Sequence, residues 1–276
     1  MFKLSKIAIL FYFIFCAGKA CLADEEKLDP KLEKAFSRIG AISRQVEQIR
    51  GLRFKEDIPA EVQSMDEMRE YVKKEVSEQF GEDEIDGFIR SFVKLGALKE
   101  TVDFVETYLS LLESQAIAHY DPNKKKYFLL KPDISEQLLD VTTSHELCHA
   151  LQDQYYGLEK YMEDESLKNN NDEMSARQSV VEGEATLVMT RWMMVSQAGG
   201  AVDDTLADMT VSAALKMQAA LDYDTMIAMS KSQTALMGDA GADMSISMEG
   251  IDDIPRIFVE SMFSAYMNGA VMIDFV

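Results

Sequence analysis

Residues 141–154 read VTTSHELCHALQDQ, and two of the chain's three histidines, His145 and His149, sit there four residues apart. Four residues make about one turn of α-helix, so the two imidazoles stand side by side on one face. Leu147, Ala150 and Leu151 give the same helix an apolar side to set against a core. Thr142, Thr143 and Ser144 offer a lead-in or cap at its start. The His pair has the spacing that two ligands need to grip one tetrahedral zinc ion. Glu146 lies about 100° round from His145. It is within reach of a water on such an ion but badly placed as a third ligand on that face, which is the position of a general base. In a chain of 276 residues with 3 His, chance is a poor source for HExxH.

Two histidines leave the set one ligand short. His119 is the remaining histidine and lies upstream, where a structural or exposed place fits it better than a ligand's. Downstream, residues 180–187 read VVEGEATL and carry two carboxylates, Glu182 and Glu184. On a helix they are about 200° apart, so one of them alone faces a given neighbour. Glu182 shares its face with Ala185, Thr186 and Met189, a small-to-apolar stripe suited to packing on the HELCH helix. Glu182 is therefore the expected ligand. Glu184 is expected to point away, either orienting a ligand or facing water. Cys148 adjoins a ligand inside an apolar stretch and reads as a small core residue.

HELCHALQDQ, followed by VVEGEATLV, resembles the gluzincin clan of zinc metallopeptidases. More narrowly, it is similar to a bacterial family of secreted or lipid-anchored metallopeptidases with an HELxHALQDQ core. The likeness runs upstream through RGLRFKEDIPAEV and IAHYDPNKKKYFLL, covering most of residues 49–190. The EGxA segment also resembles the third-ligand segment of zinc aminopeptidases, in which the first Glu binds the metal. The resemblance implies a mainly helical α+β fold, a thermolysin-like zincin domain with a small antiparallel sheet or hairpin beside the zinc helix. It implies zinc on His145, His149 and Glu182, peptide-bond hydrolysis with Glu146 as base, and an edge strand that pairs with an extended peptide. Such enzymes stabilise the oxyanion with a Tyr or His. Tyr266 is the candidate here, with Tyr155 and Tyr156 beside it. One departure stands out. Where related enzymes carry an Asp that braces a zinc histidine, this chain has Thr186, so a brace must come from elsewhere. The alternative function is a non-catalytic zinc-binding module of the cell envelope.

The first 23 residues, MFKLSKIAILFYFIFCAGKACLA, have a basic start, an apolar run over 7–17 and a small-residue end. They read as a secretory signal peptide cut after Ala23, too short in its apolar run for a membrane span. Membrane attachment is expected only if Cys21 carries a lipid. Loss of Lys3, Lys6 and Lys19 moves the net charge from −20 to −23. That acidity argues against nucleic acid as a partner and suits a secreted or periplasmic protein. With Cys16 and Cys21 gone, Cys148 is left alone and no intrachain disulfide can form.

Residues 24–50 space Leu28, Leu32, Phe36, Ile39, Ile42 and Val46 as an amphipathic helix. A single zincin-like domain is expected over 51–276. Within it LRFKEDIPAEV (52–62) reads as a short strand, Ser64 to Glu67 as a capping box, and the chain to Glu113 as helices broken at Gly81 and Gly96. Residues 114–131 read as a hairpin turning at Asp121-Pro122-Asn123-Lys124, and 157–173 as a polar loop with partial helix. Residues 206–237, rich in Ala and Met, read as helix, 238–253 as loop and 254–276 as a last apolar helix. That pattern reaches Val276 without a cap or polar tail, which is expected of a truncated chain.

Overall fold

In a computed structural model, residues 30–79, 82–130, 134–162, 170–200, 203–229 and 254–275 are described. The leader over 1–23, residues 163–169 of the polar loop and the loop over 238–253 lie outside them. The elements in order are α1 (Pro30–Arg50), β1 (Ala60–Val62), α2 (Met65–Gln79), α3 (Glu82–Lys94), α4 (Phe104–Gln115), β2 (Ala118–Asp121) and β3 (Lys126–Leu129). There follow α5 (Glu136–Tyr156), α6 (Leu158–Met162), α7 (Asn171–Gln197), α8 (Asp204–Ala219) and α9 (Arg256–Phe275). A further helical stretch covers 223–229. The class is α+β and mainly helical, as expected.

The hairpin turns where the sequence places it. Asp121 Oδ1 accepts the backbone N–H groups of Asn123 and Lys124 at 2.9 and 3.0 Å, and Lys125 takes a left-handed φ of 55°. β2 and β3 pair antiparallel, with Tyr120 opposite Tyr127. The sheet is larger than a hairpin and mixed, because β1 joins β3 in parallel and gives the order β1-β3-β2. β1 is also much shorter than the run from Leu52. It begins after Pro59, whose carbonyl accepts Tyr127 N–H at 2.9 Å. Proline has no N–H to give a ladder, so pairing starts on its carbonyl side. The capping box forms as read: Ser64 Oγ accepts Glu67 N–H and Glu67 Oε2 accepts Ser64 N–H.

The HELCH helix, α5, begins earlier than its Thr-Thr-Ser lead-in suggests. Ser135 is the cap, accepting Leu138 N–H at 3.2 Å. Thr143 and Ser144 lie within the helix, and Ser144 Oγ donates back to Val141 O at 2.7 Å. The helix ends on Gly157 with φ 68°, whose N–H donates to Asp153 O. α5 is buried on every side between Thr143 and Asp153. α1 lays Ile42 and Val46 on its Leu147, Cys148 and Leu151, and α7 closes that core with Ala185, Val188 and Trp192. Toward the sheet, α5's Leu139 meets Tyr127, Leu129 and Phe36 of α1. A second core lies among α2, α3, α4, 223–229 and α9, centred on Met68, Phe104 and Phe258.

α7 and α9 approach so closely that their backbones touch. A Cβ added at Gly183 would stand 2.1 Å from the carbonyl carbon of Gly269, and one at Gly269 would stand 2.1 Å from Ser179 O. Only hydrogen fits at either place. The crossing sets Tyr266, one turn before Gly269, beside Glu182.

Gly269→Ala is expected to cost on the order of 3 kcal/mol or more, since the obstacle is backbone and cannot turn aside. Gly40→Ala on α1, where an added Cβ would meet the Arg44 side chain at 3.9 Å, is expected to gain about 0.5–1 kcal/mol. Chemical denaturation of the two variants checks this, and equal midpoints would refute the tight crossing.

Candidate metal centre

A helix buried all round has to satisfy its own polar side chains, because each unpaired one costs free energy. Most of α5's find partners at once. Thr143 Oγ1 lies 3.0 Å from Tyr127 Oη. Asp153 accepts from Tyr120 Oη at 2.8 Å, from Lys125 Nζ at 2.7 Å and from Leu158 N–H at 2.9 Å. Glu146 Oε2 accepts the backbone N–H of Tyr120 at 2.8 Å. Beside these lies a cluster of two imidazoles and a carboxylate whose spacing suits a cation.

His145 Nε2 and His149 Nε2 are 3.0 Å apart, and Glu182 Oε2 lies 3.4 and 3.6 Å from them. Three ligands about 2.0–2.1 Å from one ion at tetrahedral angles stand about 3.3 Å from each other. The observed triangle brackets that spacing. All three residues are buried, and Glu182 Oε2 receives no hydrogen bond of good geometry. An orphaned buried carboxylate oxygen facing two imidazole nitrogens fits a divalent metal ion. Among the described residues no other group of His, Cys, Asp and Glu meets the same condition.

The electrostatics agree. Burial lowers the pKa of both histidines, His149 to about 4, so they stay neutral, which is the form that ligates. Burial raises Glu182, against the lowering by His145 and the Tyr266 hydroxyl; burial also dominates the rise of Glu146, against the Tyr120 N–H, and Glu182's charge adds to it. Two carboxyls crowded in a dry site are what a dication would relieve.

Glu184 does not face water. Its Oε2 accepts from Gln152 Nε2 at 2.7 Å, and its other oxygen pairs with Arg50 at the end of α1. Gln152 in turn holds His149, with Oε1 2.8 Å from Nδ1, and its amide also donates to Val181 O at 3.0 Å. This is the brace that Thr186 cannot supply. Thr186 is buried and its hydroxyl makes no hydrogen bond. Sequence reading missed Gln152. The signal was its position three residues after His149, one helical turn on and over the same ring.

Tyr266 comes to the site from α9. Its ring stacks on His145 at 5.8 Å between centroids, and its hydroxyl hydrogen-bonds the Glu182 carboxylate. Burial, with the nearby carboxyls, pushes the phenol well above its ordinary pKa, so it remains a donor. Tyr155 and Tyr156 do not reach the site. Tyr155 donates to Arg53 O, and Tyr156 is 63% exposed. Cys148 is buried in the α1–α5–α7 core, and burial raises its thiol well above the usual range. His119 sits on β2, fully buried, outside the metal-fitting triangle.

Compared with known protein families, curated proteins and solved structures, the chain matches none.

The purified chain is expected to take up about one divalent metal ion per molecule, and Glu182→Ala to lose far more affinity than Glu184→Ala. Metal analysis after reconstitution reads both; no stoichiometric uptake, or a worse loss at Glu184, would refute the ligand set. A second expectation concerns His119, whose pKa burial lowers from 6.5 to about 3. The unfolded chain takes up this proton first, so stability falls as pH drops from about 6.5 toward 3. His119→Leu should flatten that part of the melting-temperature profile in metal-free protein. An unchanged profile would count against a buried neutral imidazole.

Proposed function

We propose that this chain is a secreted or periplasmic zinc-dependent peptidase, with zinc on His145, His149 and Glu182. The observation that carries the reading is Glu146. A site built only to hold two helices together needs its ligands and their braces. It does not need an adjacent buried carboxylate out of phase with the two histidines. Glu146 does not belong to the ligating triangle, yet it stands on the same buried turn of α5. When bound, zinc would polarise a carbonyl and lower the pKa of a water toward ~7. Glu146 would take the proton of that water as it attacks and pass it to the leaving amine. The Tyr266 hydroxyl, kept protonated by burial, would turn from Glu182 to donate its one proton to the oxyanion.

The sheet supports a peptide as the substrate. β2 is an edge strand in the order β1-β3-β2. Leu130 N–H donates to Ile117 O, so by alternation the peptide groups of Ala118 and Tyr120 point away from β3. Tyr120 N–H reaches Glu146, so the outward edge runs past the base. An extended peptide pairing on that edge would lie across the metal, and it would have to displace the Glu146 contact, because β2 is buried along its whole length. The resemblance to gluzincins through HELCHALQDQ and VVEGEATLV belongs to the same proposal.

One observation favours a second reading, a non-catalytic zinc site in an envelope protein. His145, Glu146, His149 and Glu182 are all nearly closed to solvent, whereas a catalytic metal needs an open position.

Glu146→Gln separates the two. It keeps size and removes the base, so the peptidase reading expects full zinc content and a loss of ~10²–10⁴-fold in peptide hydrolysis. Full retained activity would exclude Glu146 as the base. A parent chain that binds zinc and cleaves no peptide library would bring the structural reading forward.

A further inference from the structure

We infer that Arg50 and Glu184, acting through Gln152, fix which nitrogen of His149 is offered to the metal. They are positioning residues of the proposed centre, so the inference rests on that reading and deepens it.

The argument is a count of donors and acceptors. A neutral imidazole carries its proton on either Nδ1 or Nε2, and only the nitrogen without it can ligate. His149 Nδ1 faces Gln152 Oε1 or Nε2, according to which way the carboxamide is turned. The surroundings decide the turn. One end of the carboxamide lies 3.0 Å from Val181 O and 2.7 Å from Glu184 Oε2, two groups that accept and cannot donate. That end must be the NH₂. The other end, 2.8 Å from His149 Nδ1, must be the carbonyl oxygen. Nδ1 must therefore hold the proton, and the Nε2 lone pair is aimed at His145 Nε2 and Glu182 Oε2.

Glu184 would be a poor anchor by itself, since a glutamate side chain has several rotamers. Arg50 removes that freedom by pairing with its other oxygen. Both side chains are mostly covered, 23% and 18% exposed. The chain Arg50–Glu184–Gln152–His149 thus runs from the last residue of α1, through α7, to a ligand on α5. It crosses the three helices that share the Leu147–Ala185 core. Arg50 is followed by Gly51 with φ 65°, which ends α1 there and holds the guanidinium at the helix terminus.

The test uses the full chain and needs no activity. With three histidines in the protein, ¹⁵N-histidine labelling resolves the tautomer of each ring in metal-free protein at pH 8. In the parent, His149 is expected as the Nδ1–H tautomer alone. Gln152→Leu and Glu184→Leu should each raise the Nε2–H form, and Arg50→Met should do so in the same direction. Combining Arg50→Met with Glu184→Leu should add little to Glu184→Leu alone. Glu184→Gln leaves one oxygen for both Arg50 and Gln152, so it should restore the parent tautomer when combined with Arg50→Met. In chelator competition, zinc affinity should fall roughly 10–100-fold in Gln152→Leu, as for other braces of metal-bound histidines. The loss should be smaller, in the same order, in the other two.

A parent His149 protonated on Nε2 would overturn the inference. So would Glu184→Leu and Arg50→Met with parent tautomer and parent zinc affinity, because the chain would then end at Gln152. Circular dichroism of the metal-free variants separates lost position from lost fold. Arg50→Met, at the surface end, is the variant that tests the relay if Gln152→Leu does not fold. A parent that binds no zinc refutes the metal reading above, while the tautomer comparison still reads the chain independently.

Discussion

The burial of α5 on all its faces is the constraint from which the rest follows. A helix in that position usually carries apolar residues throughout. This one carries Thr143, Ser144, His145, Glu146, His149, Gln152 and Asp153 into the interior. Leaving one such group unpaired costs about 1–3 kcal/mol, so several together would consume the ~5–15 kcal/mol of a typical domain. The neighbours of α5 therefore have to be polar at set points as well as apolar. The sheet contributes Tyr120 and Tyr127, α7 contributes Glu182 and Glu184, and α1 contributes Arg50. The fold around the helix is, in large part, a set of answers to its hydrogen-bonding demands.

Much of this was readable in the sequence, and the reasons differ by element. Helical phase pairs His145 with His149 and sets Glu182 about 200° from Glu184, as in any α-helix, while the choice of that downstream segment came from its resemblance to third-ligand segments. The hairpin follows from Asp121, whose side chain makes its own turn whatever the surroundings. The capping box at Ser64 and Glu67 is equally local. What failed was what depends on distant partners. The start of α5 was misplaced because Thr143 and Ser144 have cap chemistry, yet tertiary burial on Tyr127 and a better cap at Ser135 carry the helix through them. The strand at β1 was legible, over a longer run, but its parallel pairing with β3 was not, because that pairing joins residues far apart in the chain. Glu184 stayed open between orienting a ligand and facing water, since nothing near it in sequence announces Arg50 or Gln152.

Thr186 shows the same limit from the other side. Its departure from the pattern that the motif resembles was visible, and it signalled that the histidines would be held differently. The replacement was not visible, because it uses a neutral carboxamide one turn along the ligand helix itself. A carboxylate brace makes an imidazole more basic and more electron-rich. A carboxamide fixes its orientation with less transfer of charge, and here the charge sits one step further out, on Glu184.

The Gly183–Gly269 crossing joins two properties that most proteins keep separate. Gly183 stands between Glu182, the metal-fitting carboxylate, and Glu184, the anchor of the brace. Its contact with Gly269 also fixes the height at which Tyr266 meets the carboxylate. Any substitution that changes the spacing of α7 and α9 must therefore alter ligand, brace and tyrosine together. The chain has no means of loosening that helix pair to gain motion, or tightening it to gain stability, without retuning the chemistry of its own centre.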